Sequence, residues 1–158
     1  MAHQVLFVCT GNYYRSRFAE LLFAARAVQA HLPWTAASRG FIRAPQNIGP
    51  ISPLTLAELA IRGCPVEEDI RFPLVLQQAD LEAADLVVLL KEAEHRPWLE
   101  RHFPDWVDRV EYWHIHDVDG TPAAEACALI AREVEHLIER LAVARGSAPS
   151  LGCSGAPL

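Results

Sequence analysis

The chain has 158 residues and a formal net charge of -6, a length that fits one domain around one hydrophobic core. About half of its residues are apolar and about a fifth are charged, which excludes a disordered or collagen-like chain. Its 14 lysines and arginines form no basic block, which argues against a nucleic-acid partner. The longest apolar runs fall far short of the ~20 residues that a membrane helix needs. The run Val5 to Val8, with no small-residue cleavage site behind it, does not resemble a secretion signal, so a cytoplasmic protein with no membrane partner is expected. Four cysteines, Cys9, Cys64, Cys127 and Cys153, lack the paired spacing of a zinc site or a redox dithiol and read as reduced thiols.

In chain order, Val5 to Val8 is a continuous apolar run closed by Thr10-Gly11-Asn12, which predicts a buried strand and a tight turn. From Ser16 onward Phe18, Ala19, Leu21, Leu22, Ala25 and Val28 recur near helical spacing, and Ser16 with Glu20 behind it reads as a helix start. Thr35 to Ser38 is a candidate second strand, and Arg39 to Pro53 a long loop of the kind that serves a site. Pro53 to Arg62 predicts a helix stopped at Gly63, and Val66 to Ile70 carries a weak strand signal. Leu86 to Leu90 is a strong buried strand, Glu92 to His102 a helix, Arg109 to Ile115 a further strand, and Pro122 to Ala144 an amphipathic helix. The domain then spans residues 1–145, and "GSAPSLGCSGAPL" from Gly146 reads as a mobile tail.

This alternation predicts an α/β fold, a single-domain three-layer sandwich with a central, mostly parallel sheet of about four strands and helices on both faces. Ligands in such sheets bind at the carboxyl ends of the strands, where Cys9 ends the first.

The stretch "CTGNYYRS" from Cys9 to Ser16 gathers chemistry there. Gly11 permits backbone geometry that other residues resist, and Asn12 can lock the loop through its own backbone. The loop opens onto a helix N-terminus, where successive N–H groups converge on an anion, and Arg15 adds a planar, two-pronged donor. A field that binds phosphate also favours the thiolate form of Cys9, to which Ser16 can donate a hydrogen bond. Taken alone, Cys9 also reads as a buried small hydrophobe, Asp117 and Asp119 beside Gly120 as a plain turn, and His114 with His116 as a strand face or a chelating pair.

Residues 5 to 20 resemble the phosphate-binding loop of the low-molecular-weight protein tyrosine phosphatases: cysteine, five residues, arginine, then serine, near the N-terminus. "SRGF" from Ser38, "AADLVVLL" from Ala83 and "HIHDVDG" from His114 extend the likeness over roughly residues 4 to 143. The resemblance implies that Cys9 attacks phosphorus to form a phosphocysteine, while Arg15 and the amides of the loop (Thr10, Gly11, Asn12, Tyr13, Tyr14, with Ser16 behind) hold the phosphoryl oxygens. Asp117 would protonate the leaving phenolate and then activate water, with no metal or other cofactor. The implied substrate is a phosphotyrosine protein or a small phosphomonoester.

The chain departs from the family pattern at four places. Tyr14 replaces a second cysteine, Arg17 a proline, and Val118 the proline after the acid; Asp119-Gly120 stands where aromatic residues wall the phosphotyrosine slot. Alignment with the motif favours Asp117 over Asp119 as the acid, and Tyr13 could supply the missing wall or simply pack. Two other functions share the loop. A non-catalytic phosphate or phosphopeptide binder would fit the altered acid loop. A thiol-dependent arsenate reductase would need further cysteines between about Gln77 and Lys91, where this chain has none. Oligomeric state is not legible in the sequence.

Overall fold

The structure, a computed structural model, describes residues 2–66, 69–115 and 122–147. The strand β1 (His3–Cys9) lies inside a four-stranded sheet, paired in parallel with β2 (Trp34–Gly40) on one side and β3 (Leu86–Leu89) on the other. The short β4 (Glu111–Tyr112) extends the sheet beyond β3, again in parallel, giving the order β2-β1-β3-β4. Every residue from Val5 to Cys9 is buried, because helices cover both faces and no side of the strand meets water.

The alternation of β1 divides its side chains between two cores. Val5, Phe7 and Cys9 pack with α1 (Arg15–Gln29), α2 (Pro53–Ile61) and α5 (Ala123–Ser147), through Phe18, Leu22, Phe23, Leu59, Ile130 and Val134. Leu6 and Val8 meet the other layer, α3 (Gln78–Ala83) and α4 (Glu92–His102), through Leu81 and Leu99. Each fully buried Leu or Phe in these cores contributes ~1.5–3 kcal/mol of hydrophobic stabilisation. The result is the expected three-layer α/β sandwich.

Several local expectations need correction. Val66 to Ile70 forms no strand among its described residues, and Asp69, with φ at 73°, leaves extended geometry altogether. The chain returns to the sheet later, where Gly40 N–H donates to Leu74 O at 2.9 Å and Leu76 N–H to Gly40 O at 2.8 Å. Arg109 to Ile115 shortens to the two residues of β4. The helix α3 gave no signal, since its six residues bury only Leu81 and show no period. Helix α2 stops before Gly63, whose φ of 74° is the left-handed geometry expected of a glycine stop. Helix α5 runs to Ser147, so the expected tail beyond it, residues 148–158, lies outside the described residues. No helix among the described residues is long and apolar enough to cross a membrane.

Candidate active site

The chain leaves β1 at Cys9 and enters α1 at Arg15, and the loop between them is tied by its carbonyls to the flanking segments. Cys9 O accepts from Phe41 N–H (3.1 Å), Thr10 O from Ile42 N–H (3.0 Å), Tyr13 O from Ser52 N–H (3.0 Å), and Tyr14 O from Phe18 N–H (3.0 Å). The carbonyl and the next N–H of a planar trans peptide point in opposite directions. The N–H groups of Thr10, Gly11, Tyr14 and Arg15 therefore face away from those partners.

The left-handed residue of the loop is Asn12 (φ 51°), a residue type that tolerates that conformation, and Gly11 has no positive φ. Nor does Asn12 lock the loop through its own backbone. Its Oδ1 accepts from Leu74 N–H and from Arg71 Nη1, both at 3.0 Å, which orients the amide, and its Nδ2 donates to Ser16 Oγ and Ser38 Oγ, both at 2.9 Å. Ser16, expected at a helix start, does not cap α1; the cap residue is Tyr14, without a side-chain bond. The Ser16 hydroxyl instead sits 2.9 Å from Cys9 Sγ. Ser16 Oγ accepts from both the Cys9 thiol and Asn12 Nδ2, and a hydroxyl can also donate to a sulfur that has given up its proton. Cys9 itself is 3% exposed.

Two groups that the sequence reading missed complete the site. Glu94 and His95, in the first turn of α4, reach the loop from the end of β3. Lys91 N–H donates to His95 Nδ1 at 3.1 Å, so the ring proton sits on Nε2, 3.2 Å from Thr10 Oγ1. The Thr10 hydroxyl in turn donates to Glu94 Oε1. Arg15 meets the same carboxylate end-on, Nη2 to Oε1 at 2.9 Å and Nη1 to Oε2 at 3.3 Å. The His95 ring, 3.5 Å away, together with Arg15 and Thr10, holds the Glu94 carboxyl well below the usual carboxylate range, against the opposing effect of burial. Burial pushes His95 below its usual range, in keeping with a neutral ring. A signal for Glu94 existed in principle, since α4 begins where the sheet's ligands are expected.

Behind the loop, Arg71 Nη2 pairs with Glu20 Oε1 (3.2 Å) and donates to Ser38 O and Oγ (3.0 and 3.1 Å). Arg17, only 2% exposed, donates through Nη1 to Pro50 O (3.0 Å) and Arg71 O (3.1 Å). Burial and the neighbouring Arg71 lower the pKa of Arg17, while Glu20 and the Cys9 sulfur favour its charge. The twin tyrosines part ways: Tyr13 OH donates to Ile48 O (2.7 Å), and Tyr14 OH to Ala123 O (2.9 Å) in the first turn of α5.

Asp117, the expected acid, lies outside the described residues, as do Asp119 and His116. The flanks of that segment are placed at the site. Ile115 N–H donates to Leu90 O, Leu90 N–H to Val8 O, and Ala123 carries the carbonyl that Tyr14 holds. Among the described residues no group of three His, Cys, Asp or Glu side chains is placed to hold a metal ion.

Residues 4–145 match the low-molecular-weight phosphotyrosine protein phosphatase family. The chain belongs to that family. It is thus a cysteine-dependent phosphatase, of a family whose chemistry runs through a phosphocysteine. Among solved structures, it is similar to the low-molecular-weight protein tyrosine phosphatase of T. tengcongensis, with 29% identity over 89% of this chain and 97% of that one and a TM-score of 0.69. It is similar as well to the YwlE arginine phosphatase of Geobacillus stearothermophilus, with 25% identity over 91% and 93% and a TM-score of 0.68. A Bacillus subtilis low-molecular-weight protein tyrosine phosphatase gives 25% identity over 89% and 95%, with a TM-score of 0.66. No curated protein sequence matches the chain.

For this phosphatase Arg71 is the distant support of the loop. Arg71→Ala leaves Asn12 Oδ1 only the Leu74 N–H. Loss of that charge-assisted bond, ~1.5 kcal/mol, corresponds to a fall in kcat/KM of about tenfold. Steady-state hydrolysis of an aryl phosphate measures it, and an unchanged value would show that Asn12 needs no such support.

Proposed function

We propose that this phosphatase hydrolyses phosphotyrosine in proteins or small aryl phosphates, with Cys9 as nucleophile and Arg15 and the loop amides from Thr10 to Arg15 cradling the phosphoryl oxygens. Asp117 protonates the leaving oxygen and then activates water. The reading is carried by the Asn12-Ser16-Cys9 chain, in which an oriented amide fixes the serine hydroxyl against the sulfur. Such positioning and charge stabilisation is most of what phosphoryl transfer asks of a protein. Tyr13, held at the mouth by Ile48, offers its ring as one wall of an aryl slot. No nucleic acid or membrane partner enters the scheme, and the unpaired Cys9, Cys64 and Cys127 suit the reducing cytoplasm.

The test is hydrolysis of para-nitrophenyl phosphate and of phosphotyrosine with chelator present, by the parent, Asp117→Asn and Asp119→Asn. Asp117→Asn is expected to lower kcat about a hundredfold on phosphotyrosine and to remove the alkaline limb of the pH profile, because an acid must be protonated to act. A defect confined to Asp119→Asn would move the role to that residue. Phosphoarginine belongs in the same assay, given the arginine phosphatase among the similar structures. Its preferential hydrolysis would overturn the aryl substrate, and a parent that binds phosphate without turnover would make the chain a binding module.

A further inference from the structure

We propose that Tyr14 is a positioning residue for the proton-transfer step, bracing the phosphate loop against the first turn of α5. This role rests on the reading of Asp117 or Asp119 as the acid. Tyr14 is fixed at both ends. Its carbonyl accepts from Phe18 N–H of α1 (3.0 Å) and from the hydroxyl of Thr55 in α2 (3.2 Å), a residue with no exposed surface. Its ring packs against the core that α1, α2 and α5 share. At the far end the hydroxyl donates to Ala123 O at 2.9 Å and accepts from Cys127 Sγ at 3.6 Å. Burial pushes the Cys127 thiol up, which keeps it a neutral donor, so the single hydrogen of the phenol is left for the Ala123 carbonyl.

The residues between Ile115 and Pro122 carry both candidate acids, and the described neighbours on either side are tied to the unit that bears Cys9. On one side Ile115 N–H donates to Leu90 O, and Leu90 N–H to Val8 O, next to Cys9 in β1. On the other, Ala123 is held by the loop residue that precedes Arg15. A proton donor must come within hydrogen-bond reach of the leaving oxygen, and an error of about 1 Å can cost about a hundredfold in rate. Tying the second flank to the loop that seats the phosphoryl group removes one source of that error. The family pattern has a cysteine at this position, whose sulfur would end where the tyrosine ring begins and could not reach α5. A support of the loop alone would slow every substrate equally. Support of the acid slows most those substrates whose leaving group needs the proton, and that gradient distinguishes the two roles.

The experiment measures kcat/KM of the full-length parent and Tyr14→Phe on phenyl, para-nitrophenyl and 2,4-dinitrophenyl phosphate, together with inhibition by inorganic phosphate and the melting temperature. Phenol is the least acidic of the three leaving groups and needs the enzyme's proton most; dinitrophenol needs it least. Tyr14→Phe keeps the ring in the core and loses only the hydroxyl. It should cost about tenfold on phenyl phosphate, the scale of one lost hydrogen bond, and the loss should shrink as the leaving group becomes more acidic. The inhibition constant for phosphate should stay at the parent's value. Tyr14→Leu, which fills the core without a hydroxyl, repeats the series if Tyr14→Phe does not fold. An equal loss on all three substrates would make Tyr14 a support of the loop alone, and no loss on any would make it a packing residue; either overturns the inference. Asp117→Asn and Asp119→Asn on the same substrates separate the two readings. If neither shows the gradient, the acid lies elsewhere and both readings fail, whereas a gradient in one of them beside none in Tyr14→Phe overturns only the role of Tyr14.

Discussion

Cys9→Ser is expected to abolish hydrolysis of para-nitrophenyl phosphate, with kcat lower by on the order of 10^4-fold or more, as for loss of a nucleophile elsewhere. The surroundings of Cys9 explain why serine is no substitute. Its hydrogen-bond partner is the Ser16 hydroxyl, a neutral group that also accepts from Asn12 and is far too weak a base to deprotonate an alcohol. That group can steady a thiolate but cannot remove a proton from an alcohol. A hydroxyl at position 9 would stay protonated and inert, while a thiol needs little help to ionise. The substitution should leave the fold in place, because the smaller side chain keeps its partner in Ser16 at the edge of the core formed with Phe18. Inorganic phosphate should still bind, measured by calorimetry. Hydrolysis by Cys9→Ser at the parent's rate would end the phosphocysteine assignment to this residue.

Gly40→Ala is the second large effect, and it reaches the same loop from the neighbouring strand. A Cβ at position 40 would stand 2.7 Å from Asn12 N, 2.8 Å from Gly11 C and 2.8 Å from Thr10 O. All three are backbone atoms of the phosphate loop, and none can swing aside as a side chain can. Overpacking of this kind costs about 1–3 kcal/mol. The melting temperature should fall by roughly 2–4 °C for each kcal/mol in a protein of this size. The loop must shift to make room, and a displaced reacting group can lower kcat about a hundredfold. Gly11→Ala provides the contrast, since the nearest atom to its Cβ is the movable side chain of Asn47, at 3.2 Å. Thermal melting and steady-state kinetics on both variants test the geometry. A Gly40→Ala enzyme with parental kcat would show that the loop does not depend on this close approach.

What the sequence disclosed followed the range of its interactions. The strand, loop and helix from Val5 onward were legible because hydrophobic period, turn residues and motif all lie within one short stretch. The partners of that loop were not. Asn12 was read as a loop lock, yet it is held by Ser38, Arg71 and Leu74, which no local pattern ties to it. Glu94 and His95 stood in a correctly predicted helix, but a helix pattern does not say which turn faces a distant loop. The error at Val66 to Ile70 arose because strand propensity is blind to the single left-handed residue Asp69, which turns the chain before Leu74 to Leu76 join the sheet.

Arg17 stands where the family pattern has a proline, and its guanidinium hands one nitrogen to both Pro50 O and Arg71 O. A proline could begin the helix but could not join anything to it. Here the first turn of α1 clamps two segments that lie far apart in the chain, at Pro50 and at Arg71. Neither segment can swing alone without breaking a bond to a buried cation. The helix that carries Arg15 thereby also tethers the segment whose Arg71 side chain holds Asn12, so both ends of the phosphate loop are gauged from one rigid body.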